Sequence, residues 1–101
     1  MSAACAPTEE FIRKMRSEED LAQRLQKRDW QTRANRDKLE ALIHEMLEYV
    51  RRSNLYNRLQ RLDALQKASE EIEKVHELGS QVTRQRLEEI FYLLRLARQG
   101  R

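Results

Sequence analysis

The chain has two glycines, one proline, one cysteine and one tryptophan among its 101 residues, and each scarcity excludes something. Residues 8 to 78 contain neither glycine nor proline, so nothing in that stretch forces regular structure to break. The single cysteine, Cys5, cannot form an intrachain disulfide, and a reducing intracellular compartment, cytoplasmic or nuclear, is the expectation. Long apolar runs are missing too. The longest, Ile90-Phe91-Tyr92-Leu93-Leu94, falls far short of the roughly 20 residues needed to cross a bilayer. No membrane span is expected, and Glu9 and Glu10 argue against a mitochondrial presequence. β-branched residues are few, and no stretch alternates apolar with polar for long enough to suggest a strand.

What is present is helix-forming. Leu, Arg, Glu, Gln and Ala dominate, and 37% of the residues are charged, with 20 basic groups against 17 acidic ones. This composition implies an all-α chain. The net charge of +3 is a mild excess that permits an acidic protein, nucleic acid or anionic lipid as partner and demands none of them.

The apolar periodicity predicts two or three helices, over about 8/17–52, 54–78 and 80–99. Residues 1–7 read as a leader of small residues. Thr8 is a candidate cap with Glu9 and Glu10 behind it, and Ser17-Glu18-Glu19-Asp20 is a second start signal. From Ser17 onward Leu21, Leu25, Leu39, Ile43, Met46 and Val50 fall on one stripe, joined near its end by Leu42 and Leu47. Ser53-Asn54 is the candidate turn, although neither residue compels one. Beyond it Leu55, Leu59, Leu62, Leu65, Ala68, Ile72, Val75 and Leu78 recur at a spacing nearer 3.3 than 3.6, a stripe that should meet more than one neighbour. Gly79-Ser80 reads as a helix terminator followed by a new cap. The last helix is the most apolar, and the expected core is Leu39, Ile43, Met46, Val50, Leu62, Ile72, Ile90, Phe91 and Leu94.

Helices of these lengths, roughly 54, 38 and 30 Å, do not match. Residues 39–101 are therefore expected to form a coiled-coil or small three-helix bundle region, with residues 8–38 as a basic helical arm, the projecting N-terminal half of the long first helix. Within the arm Arg24, Lys27, Arg28, Arg33, Arg36 and Lys38 face only Asp29 and Asp37, and Trp30 lies among them. Arg28, Thr32 and Arg36 fill the polar middle of the stripe. Trp and Arg are the side chains most enriched at binding hot spots. Trp30, Arg24, Arg28, Arg33 and Arg36, with Phe91 and Leu94, are thus the expected partner contacts.

Catalytic and metal chemistry fail on spacing. His44 opens His-Glu-x-x-Glu without the second histidine of a zinc helix, and Glu73 with His76 makes one Glu-x-x-His pair where a di-iron bundle needs two. His44 is expected at the edge of the core, held by Glu40 and Glu48 one turn to either side. No cofactor is implied. Leu55-Tyr56-Asn57-Arg58 resembles the Leu-Tyr-Arg signature of small basic three-helix mitochondrial assembly factors, but Asn57 interrupts it and it lies mid-chain. The three-segment layout resembles a spectrin-like repeat, but too little apolar sequence precedes Trp30. No family is assigned.

The sequence thus points to a non-enzymatic subunit or adaptor of a larger assembly, cytoskeletal in type, contacting other helical proteins or its own copies. The alternative is a helical nucleic-acid binder using the basic 24–38 arm with Arg51, Arg52, Arg58 and Arg61.

Overall fold

The computed structural model describes residues 6–15, 33–79 and 84–100, with the side chains of 14, 15, 33 and 35 set aside. Among these residues the protein is all-helical, with four helices and no strand: α1 Glu9–Met15, α2 Arg33–Arg52, α3 Arg58–Leu78 and α4 Arg84–Gln99. The stretch expected as one helix from 8 or 17 to 52 is therefore described as two pieces, and the second expected helix starts at Arg58 rather than at 54.

The reason for the later start is a left-handed residue. Asn57 stands at φ 55° and ψ 35°, a conformation that a helix interior does not contain and that Asn tolerates better than most. Its carbonyl accepts the first helical bond of α3, from Arg61 N–H at 3.0 Å. Five residues, 53–57, thus turn the chain between α2 and α3, and Leu55 tucks its side chain into the core from within that turn.

The three longer helices alternate in direction. His76 near the end of α3 reaches Glu40 near the start of α2, and Arg86 near the start of α4 pairs with Glu71 in the second half of α3. Helix α3 lies between its neighbours and packs against both, as its drifting stripe implies. It does so with Ala64, Leu65, Ala68, Ile72 and Val75, and the two alanines let neighbouring backbones approach. Against them lie Leu39, Leu42, Ile43, Met46, Leu47 and Val50 of α2, and Leu87, Ile90, Phe91, Leu93, Leu94 and Ala97 of α4. Of the expected core Leu62 alone is only partly buried. Gly79 ends α3 at φ 58°, donating its N–H to the Val75 carbonyl.

Helix α1 closes onto this bundle at the end that carries the 53–57 turn. Thr8 caps it, its Oγ1 accepting the Phe11 N–H at 3.2 Å. Phe11 then stacks on Tyr49 of α2 with ring centroids 4.0 Å apart and 7° between the planes. The Tyr49 hydroxyl lies 3.2 Å from Thr8 Oγ1, and Phe11 is left 3% exposed. The first residues assigned to the arm therefore contribute a side chain to the core.

Candidate functional site

An arginine stands at each end of the bundle, Arg61 fully buried and Arg36 half-buried, and the two differ in what they find there. Arg61, in the first turn of α3, is the one fully buried charged side chain among the described residues, at 0% exposure. Its Nη1 donates to the carbonyls of Ala97 and Arg98, each at 2.7 Å, and its Nε donates to the Tyr56 carbonyl at 3.0 Å. Those are the last carbonyls of α4, which have no partner within their own helix. One guanidinium thus caps α4 from outside. Its Cζ also sits 4.9 Å from the centre of the Tyr56 ring, a cation–π contact.

Burial pushes the Arg61 guanidinium below its ordinary pKa, while the nearby Tyr56 and Tyr49 push it back up. Gly100 makes the arrangement sterically feasible. At φ 77° it turns the chain away after α4, and a Cβ there would lie 2.5 Å from Arg61 Nη2. Asn57 Nδ2 donates to the Gly100 carbonyl at 2.6 Å, so the turn and the end of α4 are joined twice. Arg58 serves α2 in a similar way, its Nη2 donating to the Arg51 carbonyl at 3.0 Å. This cluster is built to hold helices together.

At the other end, the start of α2 and the close of α3 bound an open polar cleft of about 340 Å³, lined by Arg36, Asp37, Glu40 and His76. Glu40 Oε2 and His76 Nε2 are 2.7 Å apart. Arg36 stands one turn before Glu40 on the same face of α2, a spacing at which opposite charges commonly pair. Glu40 is turned to His76 instead. The half-buried Arg36 guanidinium lies beside Gly79, its Nη1 3.9 Å from where a Cβ would be. Among the described residues its Nε and Nη1 are enclosed with no hydrogen-bond partner, as are Arg61 Nη2 and Arg98 Nη1, and Arg36 alone of the three lines this cleft. Buried polar groups nearly always find partners, so an exception in a polar cleft marks a place where something can bind.

The expected contact residues fall in three places. Arg24, Arg28 and Trp30 lie outside the described residues. Arg33 opens α2, its side chain not described, and Arg36 lines the cleft. Phe91 and Leu94 are in the core, 7% and 0% exposed, where the same sequence reading also placed them. The expected grip of Glu40 on His44 is replaced: His44 is exposed, and Glu40 bonds His76, which faces it across the two helices. Arg61 and Asn57 were not singled out for these roles. A signal for Arg61 existed, because Arg61, Ala68 and Val75 are spaced by sevens, which places the arginine on the buried row.

Among the described residues no group of three or more His, Cys, Asp or Glu could hold a metal ion, and no helix is long and apolar enough to cross a membrane. Comparison with family models, with curated proteins and with solved structures finds no match.

Proposed function

We propose that the chain is a non-enzymatic helical subunit or adaptor of a larger protein assembly, acting through coiled-coil or bundle contacts with other helical proteins or with its own copies. The observation that carries this reading is how the helices use their polar chemistry. Arg58, Arg61, Asn57, Glu40 and His76 are spent on one another and on helix ends, while large side chains stand outside. Leu59 is 78% exposed and Tyr92 51%, and both are of the kind that interfaces cover. Trp30 with its flanking arginines adds a hot-spot composition on the sequence side. The setting we assign is intracellular, in an assembly of cytoskeletal type, on the strength of the charge-rich, breaker-poor helices.

The nucleic-acid alternative draws less support. Arg61 is enclosed, Arg58 is bonded to backbone carbonyls and Arg52 to Glu48, which leaves Arg51 as the one exposed member of that basic group, among the described residues, whose side chain is not so engaged. The adaptor reading is tested by purifying the tagged chain from its native cell and measuring the stoichiometry of what stays bound. A defined complex, weakened at least about tenfold by Trp30→Ala, is the expected result. A chain that runs as a monomer with no stoichiometric companion would sink it.

A further inference from the structure

We infer that the Arg36 cleft is a receptor for a single carboxylate, supplied by an acidic side chain of a protein partner; the choice of source rests on the adaptor reading above. The cleft offers one strong donor without an acceptor. Arg36 Nε and Nη1 have no hydrogen-bond partner among the described residues, whereas Arg61 is bonded through Nε and Nη1 and leaves only Nη2 unpartnered. With Nε and Nη1 enclosed, Arg36 meets an acceptor by turning into the cleft that its side chain lines. The neighbour spaced to neutralise Arg36, Glu40, is held by His76 at 2.7 Å. A guanidinium in this position gains most from a carboxylate, which accepts charge-assisted bonds in the geometry it presents.

The rim decides which anion fits. Asp37 and Glu40 border the same cleft, so a doubly charged phosphate meets two like charges on entry. A single carboxylate meets far less repulsion, and a basic or amide group beside it on the partner would be drawn to Asp37. The cleft, at about 340 Å³, is open and large enough for a side chain entering end-on. Gly79 at its edge has no side chain to obstruct the approach to Arg36.

The experiment uses the full chain, labelled with ¹⁵N, and acetate as the analogue of an Asp or Glu side chain. Acetate replaces chloride at constant ionic strength while the Arg36 Nε–H signal and the amides of Asp37, Glu40 and Gly79 are followed, with inorganic phosphate titrated in parallel. The expected result is a saturating shift at these four positions with acetate and a weaker response to phosphate. Arg36→Gln should weaken acetate binding at the three amides about tenfold or more, the helical circular dichroism being unchanged, and Arg36→Lys should restore part of it. Shifts that match those of chloride, or an Arg36→Gln chain that responds like the parent, would overturn the assignment. A chain that holds a partner but ignores acetate overturns the cleft alone and leaves the adaptor reading standing. A chain that responds to acetate but has no partner overturns the partner as source and keeps the carboxylate site.

Discussion

The two ends of the helical bundle carry the same residue type to opposite effect. At the end with the 53–57 turn, Arg61 is fully enclosed, yet three backbone carbonyls and an aromatic ring surround it. Phe11, Tyr49, Asn57 and Gly100 converge on the same end. At the far end, Arg36 is less buried, and its Nε and Nη1 have no hydrogen-bond partner among the described residues. The lesson is that burial of a charge does not by itself define a site. Arg61, with Nε and Nη1 engaged and only Nη2 unpartnered, is a structural fastening, and Arg36, with neither Nε nor Nη1 engaged, is an unfinished contact.

The sharpest way to break this comparison is to remove each arginine in turn. Arg61→Ala strips the Ala97, Arg98 and Tyr56 carbonyls of their donor and opens a cavity, and should cost about 3 kcal/mol or more. Arg61→Met keeps much of the volume and should recover part of that loss. The same alanine substitution at Arg36 removes an unsatisfied group and should leave stability within about 0.5 kcal/mol or raise it. Urea denaturation of the three chains, read as shifts in midpoint at constant slope, checks the ordering. Equal losses at Arg36 and Arg61 would show that the two ends are not different in kind.

The glycines repeat the contrast at a smaller size. Gly100 and Gly79 both have positive φ, 77° and 58°, so an alanine at either is strained by about 1–2 kcal/mol. At Gly79 the nearest neighbour to the new Cβ is Arg36 Nη1 at 3.9 Å, an ordinary contact. At Gly100 the Cβ would come within 2.5 Å of Arg61 Nη2, and that guanidinium cannot swing aside without releasing the carbonyls it caps. Gly100→Ala should therefore cost about 2–3 kcal/mol against about 1 for Gly79→Ala, in the same denaturation assay.

How much of this was legible in the sequence follows from what kind of signal each feature leaves. The all-helical fold, the Thr8 cap, the Gly79 terminator and eight of the nine expected core residues rest on local propensity and period, which a sequence displays directly. The exact turn was less visible, because Ser53, Asn54 and Asn57 all suit a cap, and what sets Asn57 apart is a bond to the Gly100 carbonyl, 43 positions away. Leu59 misled, since it continues the apolar spacing of its neighbours but lies off the row that begins at Arg61. Pairings between distant residues leave no periodic trace. His76 with Glu40, Arg61 with Ala97 and Phe11 with Tyr49 each join positions more than thirty apart, and geometry alone brings them together.

The smallest expected effect belongs to the Glu40–His76 contact at the unfinished end, a hydrogen bond that is also an ion pair only when His76 is protonated. Glu40 and His76 are both partly open to solvent, at 39% and 28% side-chain exposure, so their pairing should contribute below about 1 kcal/mol and fade with added salt. A double-mutant cycle with Glu40→Gln and His76→Ala measures that coupling. The more telling quantity is what Glu40 does once released. One turn from Arg36 on α2, it is placed to supply the missing acceptor within its own helix. His76→Ala should then lose less stability than the pair is worth and should weaken acetate binding about threefold or more, because an internal carboxylate now competes for the same guanidinium. If His76→Ala leaves the acetate response at Arg36 untouched, then Glu40 does not compete, and the link between the two groups across the cleft fails.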